Sequence, residues 1–144
     1  MLQFWHLPLA DKSLLIRVAM LLVTTIVGLR ILPFRFVCRL ISSFRSHGLR
    51  RRRDVDPPVE KVIWAVNLLS SRIPAATCLA KALTTLALLG RYGQPGSLRF
   101  AVAKSTNGKL EAHAWVENER RVLIGELSDL SRFVVLSPSK DINL

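Results

Sequence analysis

Two residues in this chain of 144, Cys78 and His113, are of the types that can together make and break an acyl bond. Cys78 follows Thr77 at the head of a run, Cys78 to Leu89, that reads as a helix rich in Ala and Leu, capped by Thr77 and closed by Gly90. In the first turn of a helix the backbone N–H groups have no intrahelical partners, and the positive end of the macrodipole favours a thiolate. A cysteine among Ala and Leu is ordinarily a small buried hydrophobe, and His113 is what turns the reading towards chemistry. The segment Leu110 to Glu117 alternates, with Glu111, His113, Trp115 and Glu117 on one face and Ala112, Ala114 and Val116 on the other. The small face lets a helix pack closely, so a central helix on that sheet would bring Cys78 to His113. Such a pair does acyl transfer: the imidazole takes the thiol proton, the thiolate attacks a carbonyl, and the imidazolium protonates the departing amine.

Strand pairing nominates a third member. If Glu119 and Arg120 form a two-residue hairpin loop, Asn118 pairs with Arg121, and counting back along both strands sets His113 opposite Glu126. A carboxylate there would fix the ring tautomer and stabilise imidazolium. Asp129 is the alternative orienter. The Cys78 N–H, at the helix start, is one oxyanion donor, with a second open among Asn67, Ser70 and Gln94. Trp115 is as readily core as groove wall, and Lys81 reads as a solvated lysine.

Several elements must hold these residues. A helix is expected from about Ser13, as N-cap, to Leu29 or Leu32, and a second from Pro33 to about Ser46. Between Arg17 and Arg30 the longest uncharged stretch is Val18 to Leu29, short of the roughly twenty residues a spanning helix wants. These helices are therefore expected to pack on the rest of the protein or on each other. Gly48 to Pro58, with Arg50 to Arg53 and a proline pair, reads as an exposed linker. Val59, Val62, Ile63, Val66 and either Leu69 or its neighbour Leu68 make the stripe of an amphipathic helix, which Pro74 keeps from continuing. Leu98 to Lys104, a turn with Asn107-Gly108, Leu110 to Glu117 and Val122 to Gly125 make a three-stranded meander, and Phe133 to Leu136 is a candidate last strand. Helices followed by an antiparallel sheet give an α+β fold, divided into a basic, apolar helical segment (1–53) and a catalytic domain (54–144).

Composition narrows the partners. The formal charge is +11, from 21 Lys and Arg against 10 Asp and Glu, which suits an acidic partner or an anionic surface. Seven arginines between Arg35 and Arg53 would sit well on anionic headgroups, so contact with the membrane periphery is left open. Nucleic acid is disfavoured, because the arginine run lacks aromatic interleaving or a DNA-reading helix. With only Cys38 and Cys78, neither a disulfide scaffold nor a zinc site is expected, and no cofactor is implied. The start lacks the order of a secretory signal, so a cytoplasmic protein is expected, with membrane association open.

The string Cys78-Leu79-Ala80-Lys81-Ala82-Leu83, a helix ending in Leu89-Gly90-Arg91-Tyr92-Gly93, a strand, and then Ala112-His113-Ala114-Trp115-Val116-Glu117 resembles the transglutaminase-like (papain-like) cysteine-protease domain of lasso peptide biosynthesis B proteins. The stand-alone B2 proteins match best, since their arginine- and leucine-rich N-terminal helices resemble Leu14 to Arg53. The resemblance implies a leader peptidase that cuts a ribosomally made precursor before a separate cyclase closes the macrolactam, and that works with a leader-binding B1-type partner. It makes Cys78 the nucleophile and His113 the base. It puts an aspartate on the following strand as orienter, where this chain has Glu126, one methylene longer. A transglutaminase-type acyltransferase and a basic, membrane-peripheral, non-enzymatic scaffold are the competing readings.

Overall fold

Pro8, with φ already set for a helix and its carbonyl accepting from the Asp11 and Lys12 amides, starts the first helix a turn earlier than Ser13 would. The computed structural model describes residues 8–47, 56–119 and 121–136, so the expected arginine linker lies mostly outside the described residues. Helix α1 (Leu9–Ile31) keeps Ser13 inside its first turns and carries Asp11 where the macrodipole welcomes an acid. It runs through both Arg17 and Arg30, and by length and composition it could cross a membrane. Helices α2 (Phe34–His47), α3 (Val59–Ser70) and α4 (Cys78–Arg91) follow. Thr77 caps α4 as expected, its hydroxyl accepting from the Ala80 amide at 3.3 Å. Gly90 does not close it: the helix runs on to Arg91, and Gly93, at φ +63°, takes the left-handed conformation that ends the turn.

The core lies between the helices and one face of a sheet. Leu14, Leu15 and Val18 of α1 meet Val62 and Val66 of α3 and Leu86 and Leu89 of α4. Val37 and Ile41 of α2 pack on Leu83 and Ala87. The helices of the first third thus cover the rest of the protein, and α4 is the central helix, buried from Ala82 to Gly90. One polar link ties α1 to it: Thr84 Oγ1 lies 3.3 Å from Thr25 Oγ1, which itself donates to the Leu21 carbonyl at 2.8 Å.

Strands β1 (Ser97–Lys104), β2 (Leu110–Asn118), β3 (Arg121–Ile124) and β4 (Val134–Leu136) make one antiparallel sheet in the order β3-β2-β1-β4. The meander is the expected one, although Asn107-Gly108 sits inside a longer loop, Ser105 to Lys109, rather than forming the whole turn. Ala114 and Val116 of β2 and Ile124 of β3 join the helix-side core. Strand β4 does not extend the meander at β3. It pairs with β1 at the opposite edge, Ala101 against Val135. The chain from Gly125 to Phe133, including a 3₁₀ turn at Leu130–Arg132, therefore crosses the other face of the sheet, where Gly125 and Phe133 both touch His113.

Candidate active site

Cys78 is the first residue of α4, half-buried, with its N–H among those the helix leaves unpaired. Cys38 is 9% exposed on α2, and burial pushes its thiol pKa up, so it stays protonated and shielded. The short connection Tyr92 to Gly96 sends β1 back along α4, so β2 runs in the same direction as α4. A Cβ placed on Gly96 would touch Leu86, Leu89 and Val116, which fixes that level of the helix beside Val116. Counting back from there, the start of α4 and the first half of β2 lie at one end of the layered core. Cys78 and His113 share that end.

They do not share a face. His113 lies opposite Ala101 in the sheet, on the side turned away from the α4 leucines. Among the described residues no hydrogen bond joins it to Cys78. Strand β3 stops at Ile124, opposite Val116, and among the described residues no strand pairs with the β2 edge beside His113.

The ring is held on three sides. Nε2 lies 2.6 Å from the Gly125 carbonyl. A carbonyl only accepts, so Nε2 carries the proton, and in the neutral ring Nδ1 is left with its lone pair. Trp115 stacks on the ring at 6.0 Å between centroids, and Phe133 leans on it at 5.8 Å. Trp115 is buried, and its indole N–H donates to Glu117, which also pairs with Arg99 at 2.6 Å. Lys81 is half-buried on the second turn of α4.

Glu126 is not the residue on the ring. The hairpin begins as counted, with Asn118 opposite Arg121 and Glu117 opposite Val122, but a β-bulge then puts Val116 opposite Ile124 instead of Leu123. The extra residue shifts everything beyond it by one position. Continued on that register, Glu126 would fall beside Ala114, whose side chain points to the opposite face from His113. The Glu126 side chain instead helps line a recess with Glu60, Trp64 and Arg121. Asp129, the alternative, binds Arg132 at 2.9 Å, and Arg132 also reaches Glu111 at 2.8 Å and stacks over Phe133. Of the second oxyanion donors considered, Gln94 follows the far end of α4 and is remote from Cys78. Asn67 and Ser70 end α3 on the Cys78 side, where Ser70 already donates to the Asn67 carbonyl. No group of three His, Cys, Asp or Glu side chains among the described residues could hold a metal ion.

What the sequence reading missed is thus a backbone group. The signal for it was present: a glycine ending a strand marks a bulge or a close approach. Gly125 has φ +87°, and a Cβ there would lie 2.9 Å from Trp115 Cβ and 3.0 Å from the Ala114 carbonyl. Gly125→Ala is expected to cost about 1–3 kcal/mol in thermal melts and to displace the carbonyl from His113, whereas Glu126→Gln should leave both the melt and any activity close to wild type.

A family model described as the transglutaminase-like superfamily matches residues 19–138. No curated protein and no solved structure matches the chain. The matched span takes in all four helices, at least in part, and all four strands, with Cys78 heading the central helix and His113 on the second strand. The chain belongs to the transglutaminase-like superfamily, and its α+β architecture is that of a transglutaminase-like domain.

Proposed function

We propose that the protein is a cysteine peptidase that removes the leader from a ribosomally made lasso precursor peptide, before a separate cyclase closes the macrolactam. The superfamily includes cysteine proteases and acyltransferases, both of which work through a cysteine thioester. The observation that carries the reading is the 2.6 Å contact of His113 Nε2 with the Gly125 carbonyl, because a proton held on Nε2 leaves the Nδ1 lone pair of the neutral ring to act as base. In the reaction Nδ1 takes the Cys78 thiol proton, the thiolate attacks the scissile carbonyl, and the oxyanion is met by the Cys78 N–H. Imidazolium then protonates the leaving amine, and water releases the leader as a carboxylate. Cys78 and His113 lie at one end of the core but on different faces of the sheet, so the proposed reaction requires the thiol and ring to close on one another round the β2 edge before the proton can pass.

A leader-binding B1-type protein presents the precursor in this reading, with the basic run Arg50 to Arg53 meeting acidic surface. The B2-like strings around Cys78 and His113 support that assignment. The test is mass spectrometry of precursor peptides incubated with the full chain and the leader-binding protein encoded beside it. Leader ending in a free carboxylate supports the peptidase. A leader joined to an added amine would make the protein an acyltransferase, and precursor left whole in every combination would favour the scaffold.

A further inference from the structure

Helix α1 has two apolar faces, and among the described residues only one of them is covered. Leu14, Leu15, Val18, Leu22 and Thr25 are buried. On the opposite side Ile16, Met20, Val23, Val27 and Ile31 are between 46% and 74% exposed. At 100° per residue these five fall within an arc of about 80°, a second apolar stripe running the length of the helix. It continues onto α2 at Phe36 and Leu40, exposed by 53% and 47%. At Ile16 and Met20 it opens into an apolar groove of about 390 Å³ between α1, α2 and α4, with Arg17 and Arg91 in its lining.

Charge indicates what covers this stripe. From Lys12 to Arg53 the chain has ten Lys and Arg and no Asp or Glu, so nearly all of the +11 sits in this segment. Arg17 and Arg30 flank the stripe on either side of α1, and Arg35 and Arg39 stand exposed beside Phe36 and Leu40. We propose that the exposed faces of α1 and α2 dock the protein on an anionic lipid bilayer, the apolar stripe entering the interface and the arginines meeting headgroup phosphates. Apolar side chains bordered by cations are what an interfacial helix needs. A second copy fits less well, since stripe-to-stripe contact would bring two acid-free basic surfaces together. The helix lies on the bilayer and does not span it: spanning would pull Leu14, Leu15, Val18 and Leu22 out of the core and leave Thr84 without Thr25.

Flotation of the full chain with vesicles tests this. Binding is expected to vesicles of equal parts phosphatidylglycerol and phosphatidylcholine, to weaken as salt is raised, and to be absent with phosphatidylcholine alone. Met20→Glu with Val27→Glu, both at solvent-facing positions, should reduce partition by roughly tenfold or more, since each change takes an apolar side chain out of the interface and sets a like charge against the headgroups. Arg35→Ser with Arg39→Ser should reduce it by roughly fivefold for each arginine removed, with thermal melts unchanged in both pairs. No binding to the anionic vesicles, or binding indifferent to the stripe variants, would overturn the proposal. So would a stripe-dependent dimer in sedimentation without vesicle binding, which would assign the surface to a second copy. Binding only to an acidic protein partner would likewise reject the bilayer.

Discussion

On the proposed function, Cys78→Ala is expected to stop leader removal, lowering the rate by roughly a thousandfold or more, while the protein melts within about 1 kcal/mol of wild type. The two halves of that expectation rest on different observations. Cys78 is half-buried at the first position of α4, so trimming its sulfur opens no sealed cavity, and alanine is a good residue for a helix start. The chemistry has no substitute for the thiolate, because Cys38 is buried on α2 with its thiol pushed towards the protonated form. His113→Ala should lose activity to a similar degree, since in the proposed mechanism base and nucleophile act as one unit. Single-turnover cleavage of precursor, followed by mass spectrometry beside a thermal melt, checks both. Cleavage retained in Cys78→Ala would end the thioester mechanism.

Removing residues 1–53 is expected to cost the fold itself. Leu14, Leu15, Val18 and Leu22 are each 5% exposed or less, the first three packed against α3 and α4, and Val37 and Ile41 cover Leu83 and Ala87. Cutting one such leucine to alanine costs about 2–5 kcal/mol, against a total stability on the order of 5–15 kcal/mol for a domain. Losing all of them, with α3 and α4 left bare, exceeds what the remainder can supply. The 54–144 fragment should therefore aggregate or melt without a cooperative transition, whereas Leu22→Ala alone should keep the fold and lower its stability by about 2–5 kcal/mol. Calorimetry of the two proteins checks this, and a soluble, active fragment would show the N-terminal helices to be an appendage.

The sequence announced the elements better than it announced their ends and alignments. The apolar period of Val59 to Leu69 and the alternation of Leu110 to Glu117 each follow from one dominant force, burial of one face, and both elements are there. The start of α1 just after Pro8 and the stop of α4 at Arg91, before Gly93, depend on single backbone dihedrals that several residues could have set. The candidate site divides in the same way. Cys78 and His113 were legible as residue types in the right local settings, on a helix start and a strand. The pairing partner of His113 was not, because a bulge between Val116 and Glu117 is one residue of slack in a count that tolerates none. A carbonyl, moreover, carries no letter of its own in a sequence.

The sheet's strand order also bears on how it is assembled and how it breathes. β1, β2 and β3 are joined by short turns and can zip together from neighbouring residues, but β4 reaches β1 only after the Gly125 to Phe133 segment has crossed a surface already formed. That closure carries the loop entropy of a non-local contact, so β4 is expected to dock late. It is also the element held by least: three exposed residues bonded to one neighbour. Its release would lift Phe133 from the imidazole without disturbing α4 or the meander. The solvent exposure of His113 is thereby tied to a small subglobal opening, whose amide exchange should run well ahead of the unfolding of the whole molecule.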